Sequence, residues 1–261
     1  MKLHEAGELR YYTFDLFDQY GLPHGVFTRH GGVSPQPWAS LNQGGTVGDA
    51  RDHVVENRRR MFAALGRSVE SLFDAWQVHG TETICTNVPR PLDQPHEKAD
   101  AILTDRPEIT LFMRFADCVP IYLFDPVKKV VGQVHAGWRG TVDRATAAAI
   151  RQMQARYGSR PEDLVAAIGP SICVEHYEIG QSQETVGMVH QAFGGQAESV
   201  LPRVNGAIHF DLWKANQMVL EETGVREIEL AGICTACHNE DWFSHRAEKG
   251  KTGRFGALLA L

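Results

Sequence analysis

The sequence predicts a single mixed α/β domain that spans residues 1–261. Short runs rich in β-branched and aromatic residues recur along the whole chain, and segments of helical periodicity separate them. No linker, internal repeat or low-complexity segment interrupts this alternation. Of the 261 residues, 43% are hydrophobic, which is enough for one sizeable core. Strands and helices that alternate without a break are typical of one α/β domain.

Charge and composition exclude several classes of protein. The net charge is −6, which argues against a basic surface for nucleic acid. The first residues lack the apolar core of a signal peptide, and no stretch approaches the ~18 apolar residues of a membrane span. Five cysteines in a chain of this length suggest reduced thiols and not a disulfide framework. We therefore expect a soluble, cytoplasmic protein that binds neither nucleic acid nor membrane.

Local signals predict the elements in chain order. Residues 22–34 form a short strand that runs into a glycine-rich loop, where Arg29 is a possible anion contact. A helix is predicted at 52–65, with Gly66 as its stop, and its arginine run 58–60 is interpreted as a solvated face. The other predicted strands are at 73–78, 99–104, 109–113, 121–124, 130–134, 164–168 and 228–233. The other predicted helices are at 142–157, at 183–193, and after Trp213 through Leu220.

The central feature is a predicted β-hairpin that carries a cysteine and a histidine. Its strands are 121–124 and 130–134, and the turn-like segment 125–129 joins them. With the turn centred on Pro126 and Val127, Cys118 and His135 would lie directly opposite each other, with Cβ atoms roughly 4.5–5.5 Å apart. A thiolate and an imidazole at that spacing can bind one metal ion.

A third ligand is needed, and the nearest upstream candidate is His79, at the end of the predicted strand 73–78. Two imidazoles and a thiolate suit zinc, and three protein ligands with an open fourth position are typical of a catalytic site. The alternative interpretation is that Cys118 is a small buried hydrophobe with histidines nearby by chance. Downstream, Thr141 is the predicted N-cap of helix 142–157, and its first amides, with Arg139, would favour an anion such as phosphate.

A second cysteine motif occurs near the C-terminus. Cys234 and Cys237, followed by His238, have the spacing of covalent haem attachment and of half a zinc knuckle. Haem attachment of this type requires export, for which the sequence has no signal. No second Cys pair completes a knuckle. We therefore interpret Cys234 and Cys237 as inert cysteines that follow a strand.

The motifs resemble those of the laccase-domain or YfiH-like family, whose members are also described as polyphenol oxidases, peptidoglycan editing factors and purine nucleoside phosphorylases. The resemblance covers nearly the whole chain, and the string HAGWRG at 135–140 is specific by itself. The matching motifs include TRHGGVS at 28–34, SLN at 40–42, VGD at 47–49, QVHG at 77–80, ADA at 99–101, ADCVP at 116–120, HAGWRGT at 135–141, YEIG at 177–180, CT at 234–235, FS at 243–244 and GR at 253–254.

The resemblance implies a zinc ion held by His79, Cys118 and His135, and a mixed α/β fold whose central sheets are flanked by helices. It also implies phosphorolysis of adenosine, inosine and methylthioadenosine to a base and a sugar 1-phosphate, and deamination of adenosine to inosine. Two segments depart from the family's pattern and bear on the substrate rim. Ser171 and Cys173 stand where Gly-Pro-Cys-Ile is common, and the segment 244–247 replaces a common Ser-Tyr-Arg-Arg.

Purine nucleosides and phosphate are therefore the expected partners. Arg29, Arg139 or Arg254 would neutralise phosphate through bidentate contacts. Asn42, in the glycine-rich loop, is a further candidate for substrate binding. Asp117 is a candidate for proton transfer or for orienting a metal ligand, and it joins the three ligands in the predicted catalytic set.

Three alternatives use the same residues differently. A cysteine hydrolase would use Cys118 as its nucleophile and His79 or His135 as the base. A copper phenol oxidase, which the family name suggests, is disfavoured because a multicopper site needs more histidine ligands than these motifs provide. A zinc-stabilised protein that edits or binds peptidoglycan precursors would unfold on chelation and turn over no nucleoside.

Overall fold

The computed structural model describes residues 1–261 and contains two six-stranded sheets, a small hairpin and six α-helices. The strands are β1 Lys2–Ala6, β2 Leu9–Thr13, β3 His24–Phe27, β4 Leu72–Phe73, β5 Thr83–Cys85, β6 Ala101–Thr104, β7 Thr110–Phe115, β8 Val119–Asp125, β9 Val130–Ala136, β10 Val165–Ile168, β11 Arg203–Val204, β12 Ala207–Ile208, β13 Glu227–Leu230 and β14 Phe255–Ala260. The helices are α1 Asp15–Asp18, α2 Arg51–Ala64, α3 Trp138–Val142, α4 Ala145–Tyr157, α5 Gln183–Phe193 and α6 Leu212–Thr223. None of them is both long enough and apolar enough to span a bilayer.

Both large sheets combine parallel and antiparallel pairs. The first sheet has the order β1-β2-β3-β14-β7-β4, and the second has the order β13-β10-β8-β9-β6-β5. The pairs β4–β7, β5–β6 and β10–β13 are parallel, and the other pairs in these sheets are antiparallel. The predicted α/β class, with mixed sheets flanked by helices, is confirmed.

The two sheets pack face to face, and helices cover their outer faces. Strand β8 is buried along its whole length because its alternate side chains enter different cores. Ile121 and Leu123 pack with residues of α4, α5 and α6. Tyr122 and Phe124 instead face the first sheet. Helix α2 covers the other face of the first sheet through residues such as Met61, so the layers run helix, sheet, sheet, helices.

The predicted start of the helix at 142–157 is wrong. Helix α3 already begins at Trp138, and Thr141 lies inside it, where its hydroxyl donates to the Gly137 carbonyl at 2.9 Å. Arg144 then adopts a left-handed φ of 64°, which ends the first helix and separates it from α4. The C-terminal end at Tyr157 agrees with the prediction because Gly158 provides a left-handed stop.

The strand predicted at 73–78 is also shorter than expected. Strand β4 ends at Phe73, and the chain then continues irregularly, with one bridge from Trp76 to Lys98. His79 therefore lies in a loop, with a positive φ of 62°, and not at the end of a strand. The loop is held by side-chain hydrogen bonds, which a periodicity pattern does not reveal.

Candidate metal centre and its cavity

His79, Cys118 and His135 come together, and their ligand atoms all lie within 4.8 Å of one another. Cys118 Sγ is 3.9 Å from His79 Nε2, and the two imidazole centroids are 4.9 Å apart. His79 comes from the loop after β4, Cys118 directly precedes β8, and His135 is the penultimate residue of β9. The structure thus brings the three predicted ligands together.

The hairpin register differs from the predicted one. Pro120, and not Cys118, lies opposite His135, because the loop comprises residues 126–129 and its centre falls after Val127. The Asp125 carboxylate accepts the N–H groups of the second and third loop residues at 2.8 and 2.9 Å, which stabilises this longer turn. A shift of two positions keeps Cys118 on the same face as His135, so the two side chains still meet.

Asp100 organises two of the three ligands, although its sequence motif predicted no role for it. Its carboxylate accepts the backbone N–H groups of residues 78–80 at 3.1, 3.0 and 2.7 Å. These bonds hold the loop in which His79 has a positive φ. The same carboxylate lies 2.8 Å from His135 Nδ1, which leaves Nε2 of that ring free to face Cys118. The available signal was an isolated aspartate between two alanines at the start of a buried strand.

The cysteine and its neighbouring imidazole perturb each other's protonation. Burial alone raises the pKa of the Cys118 thiol, but the charge and hydrogen bonds of His135 and His79 outweigh it and lower this pKa to about 6. Burial lowers the pKa of His135, but the Cys118 thiolate and the Asp100 carboxylate raise it to about 9. Because thiolate is the form of cysteine that binds metals, the lowered pKa favours ligation.

The triad opens into a cavity of about 1240 Å³. Helix α2 forms one wall, residues 44–47 form a second, and Tyr177 lies on a third. Small-molecule sites typically measure about 300–1,000 Å³, so the cavity has room for a nucleoside and a second small reactant. Its lining is rich in guanidinium groups, which belong to Arg51, Arg58, Arg59, Arg67, Arg90, Arg114, Arg246 and Arg254.

Arg58 faces this cavity, although the run 58–60 was interpreted as a solvated face. Its guanidinium lies 5.0 Å from the centre of the Phe112 ring, and its Nε is buried without a hydrogen-bond partner. Burial lowers the pKa of Arg58 to about 10, against the opposing attraction of Asp74. A buried donor without a partner at the wall of an open cavity favours a polar or anionic ligand there. Sequence reasoning missed this residue.

Asp117 and Arg254 also line the cavity. Both oxygens of the Asp117 carboxylate are already engaged, since Oδ1 accepts from the Thr235 hydroxyl and Oδ2 accepts from the Arg246 N–H, each at 2.7 Å. This geometry favours a positioning role over proton transfer. Burial lowers the pKa of Arg254, although the negative charges of Cys118 and Asp117 act in the opposite direction.

Arg29 and Asn42, which were predicted to bind substrate, lie behind the cavity wall. The Arg29 guanidinium donates to backbone carbonyls and forms an ion pair with Glu248 at 3.2 Å. Asn42 is fully buried, and its Oδ1 accepts the N–H of Arg254 at 2.9 Å. Neither residue lines the cavity. Their contacts hold neighbouring segments in place.

Arg139 does not line the cavity either. Its side chain is 55% exposed and forms an ion pair with Asp143, one helical turn further on, at 3.2 Å. The predicted anion site assumed that the helix begins near Thr141 and that Arg139 lies just before it. Because α3 begins at Trp138, Arg139 lies in its first turn and extends toward solvent.

The chain is similar to several known proteins. A family model described as multi-copper polyphenol oxidoreductase laccase matches residues 23–261. A Deinococcus radiodurans protein named purine nucleoside phosphorylase is 40% identical over 240 residues, which are 92% of this chain and 89% of the relative. An Escherichia coli protein named purine nucleoside phosphorylase YfiH is 31% identical over 252 residues, or 93% of this chain and 97% of the relative.

A solved structure has the same fold. The crystal structure of YlmD from Geobacillus stearothermophilus superposes with a TM-score of 0.88 at 32% identity, and the match covers 98% of this chain and 97% of that one. The family model and the relatives both extend over most of the chain. This chain therefore belongs to the multi-copper polyphenol oxidoreductase laccase family, the laccase-domain or YfiH-like family that its motifs resemble.

Proposed function

We propose that this chain is a zinc-dependent purine nucleoside enzyme. It would cleave adenosine, inosine and methylthioadenosine with phosphate, and it would also deaminate adenosine to inosine. The names of its relatives support the phosphorylase activity. The observation that carries the proposal is that a Cys/His triad suited to a metal and several guanidinium groups open into one cavity. A metal at the triad would supply the water-activating chemistry of deamination, and the guanidinium groups would bind the phosphate of phosphorolysis.

The donor set fits zinc. Two imidazoles and a thiolate on one side of a cavity leave a fourth position for water or substrate, and the Asp100 carboxylate orients His135 as zinc-bound histidines require. A multicopper centre would need more imidazoles, and no methionine lines the cavity to act as an axial copper ligand. When bound, zinc would supply a Lewis acid that makes water acidic enough to attack near neutral pH.

Phosphorolysis requires groups that bind phosphate, and the arginines of the cavity can supply them. A phosphate oxygen must bond to C1′ while the bond from C1′ to the purine nitrogen breaks, and the purine leaves with the electron pair and takes up a proton. Arg58 and Arg254 lie in the cavity wall, and guanidinium groups bind phosphate through paired N–H donors. We assign the phosphate to these two residues, because Arg58 Nε has no partner within the protein.

The substrates of this proposal are small molecules of the cytoplasm. All five cysteines are unpaired, as expected in a reducing compartment. The net charge of −6 disfavours nucleic acid as a partner. Free nucleosides and phosphate suit the cavity better because Arg58 and Arg254 line a concave site with room for two small molecules.

The direct test is liquid chromatography of adenosine and inosine after incubation with the zinc-loaded protein, with and without phosphate. We expect free base and ribose 1-phosphate only when phosphate is present, and inosine from adenosine in either case. No turnover of either nucleoside, together with unfolding on chelation, would support the peptidoglycan-precursor alternative.

Two matched variants test the phosphate assignment. Arg58→Lys keeps the charge but loses the forked donors, so we expect the phosphate concentration for half-maximal phosphorolysis to rise about 10-fold, with deamination nearly unchanged. Arg139→Lys makes the same chemical change at an exposed position and tests the motif-based prediction for that residue. A raised phosphate requirement in Arg139→Lys alone would assign phosphate to Arg139.

The cysteine hydrolase is the second candidate, and the Cys118–His135 pair favours it specifically. A thiol with its pKa lowered to about 6 next to an imidazole also describes a nucleophile and its base. The metal enzyme would use the Cys118 thiolate to bind zinc, whereas the hydrolase would use the same thiolate as a nucleophile. Stoichiometric zinc that survives dialysis supports the metal enzyme. Stoichiometric alkylation by iodoacetamide in protein that contains no metal as purified supports the hydrolase.

A further inference from the structure

Four side chains outside the triad form a second cluster. They are Cys173, His176, Cys234 and Cys237, and their ligand atoms all lie within 4.8 Å of one another. Cys234 and Cys237 were predicted to be inert because no second cysteine pair completes a knuckle. The structure supplies the missing half as a Cys-x-x-His pair that begins 61 residues before Cys234.

The topology explains why these residues meet. Strands β10 and β13 are parallel neighbours, so their C-terminal ends lie at the same edge of the second sheet. A further bridge pairs Ser171 with Cys234 beyond the strands. Cys173 and Cys234 are therefore adjacent, and the second member of each pair lies three residues further along its own chain segment.

The distances fit a single tetrahedral ion. Cys173 Sγ lies 3.9 Å from Cys237 Sγ, and these sulfurs lie 3.4 and 3.5 Å from His176 Nδ1. Zinc with bonds of about 2.3 Å to sulfur and 2.0–2.1 Å to nitrogen requires S–S edges of about 3.8 Å and S–N edges of about 3.6 Å. These three atoms thus already stand close to the corners of a zinc tetrahedron.

The fourth sulfur, Cys234 Sγ, accepts hydrogen bonds from both loops. The backbone N–H groups of Cys173 and Cys237 both donate to Cys234 Sγ, at 3.3 and 3.4 Å. Both loops thus direct backbone donors at the same sulfur, which holds it beside Cys173 and Cys237.

We propose that Cys173, His176, Cys234 and Cys237 bind a structural zinc ion that is separate from the triad. Three thiolates and one imidazole leave no open position, which distinguishes this site from a catalytic one. This proposal does not depend on the proposed function, because neither the ligands nor their geometry involve the triad.

The site joins two loops that build the cavity wall. Tyr177 follows the ligand His176, and Arg246 donates to the His176 carbonyl at 3.0 Å and stacks on the Tyr177 ring. Thr235, next to Cys234, donates its hydroxyl to Asp117. An ion at this position would hold these loops together and would support the cavity without entering it.

A disulfide between Cys173 and Cys237 is the competing use of these sulfurs. Its formation would release two protons and two electrons to an external oxidant, and it would leave Cys234 and His176 without a function. The atoms are 3.9 Å apart, well beyond the S–S bond length of about 2.05 Å. Denatured, chelated and unreduced protein should contain five reactive thiols, and a count of three would overturn the proposal.

Metal analysis of purified variants tests the two sites separately. We expect two zinc ions per chain in the native protein, one in Cys118→Ala and one in Cys237→Ser. Cys85→Ser is the matched control, because Cys85 is a cysteine of β5 outside both clusters, and it should keep two. Full zinc content in Cys237→Ser would overturn the structural site. Loss of one zinc ion in Cys237→Ser but none in Cys118→Ala would support the structural site. The same result would reject zinc binding by the triad, on which the proposed function depends.

Cobalt substitution gives an independent spectroscopic readout of the second cluster. In Cys118→Ala, cobalt(II) should produce the ligand-field bands of a tetrahedral ion and a thiolate charge-transfer band whose intensity corresponds to three sulfurs. His176→Ala, at an exposed ligand, should weaken or abolish this spectrum. A Cys118→Ala protein that folds, as judged by circular dichroism, but shows no thiolate–cobalt band would overturn the proposal.

Discussion

At the scale of single residues, we expect the Cys118 thiol to be more reactive at neutral pH than a half-buried thiol such as Cys85. Burial raises the pKa of Cys85, whereas the imidazoles around Cys118 overcome burial and lower its pKa to about 6. The thiolate fraction grows as the pH rises through the pKa. In metal-free protein we therefore expect iodoacetamide to alkylate Cys118 with a rate that rises around pH 6 and levels off above about pH 7. Peptide mapping by mass spectrometry measures the rate at each residue.

Cys85 provides the internal control for this measurement. Its alkylation should remain slow at neutral pH and should increase only in alkali, because its thiolate is disfavoured. Zinc added at two equivalents per chain, enough for both proposed sites, should protect Cys118 and leave Cys85 unaffected. A midpoint near the ordinary cysteine pKa of about 8.5 for Cys118 would show that the imidazoles do not stabilise its thiolate.

At the scale of elements, the junction of β9 and α3 controls the metal centre. Gly137 joins the two elements, and a Cβ placed on it would lie 2.9 Å from Cys118 Sγ and 3.1 Å from His79 Cδ2. Its φ of −73° suits any residue, so the substitution acts on the ligands and not on the backbone. We expect Gly137→Ala to weaken zinc binding about 10- to 100-fold, the range found when groups supporting a metal site are disturbed.

Competition with a chromogenic chelator measures this affinity, and Gly140→Ala is the matched control. A Cβ at Gly140 meets its nearest atom, the His135 carbonyl oxygen, at 3.4 Å, which is ordinary contact. Alanine also suits a helix better than glycine by up to about 1 kcal/mol, so α3 should not be weakened. Native zinc affinity in Gly137→Ala would show that the ligands can move aside without loss.

At the scale of the whole molecule, Tyr122 connects the two sheets. It is fully buried, its hydroxyl donates to the Gly25 carbonyl in β3 at 3.1 Å, and its ring packs edge-on against Phe14. Deleting a buried aromatic ring costs about 3–5 kcal/mol. We expect Tyr122→Ala to lower the free energy of unfolding by about 4 kcal/mol. Because both sheets share this core, urea unfolding should remain a single transition by circular dichroism and by tryptophan fluorescence.

Val127→Ala serves as the control, since Val127 is 64% exposed in the hairpin loop and should change stability by less than about 0.5 kcal/mol. The experiment also tests the prediction that residues 1–261 form one domain. Two separate transitions, with only one of them shifted by Tyr122→Ala, would divide the chain into two folding units.

The sequence by itself determined the α/β class, the family and the identity of the three triad residues. Helix α5 begins and ends where predicted, and α2 lies within one residue of its prediction. These features depend on apolar periodicity, on glycine stops and on short strings of residues, all of which are local. The triad emerged although the hairpin register was predicted two positions off, because such an error keeps a side chain on the same face of a sheet. The catalytic roles themselves remain predictions.

Only the tertiary structure decided which distant residues share a site. Arg58 lies within one predicted helix and Arg139 just before another, yet Arg58 lines the cavity and Arg139 forms an exposed ion pair. Cys173 and Cys234 meet because β10 and β13 pair in parallel. Strand pairing and layer packing bring these residues together across large separations in sequence. No local sequence pattern specifies these contacts, because they form only when both faces of each sheet are buried in the folded chain.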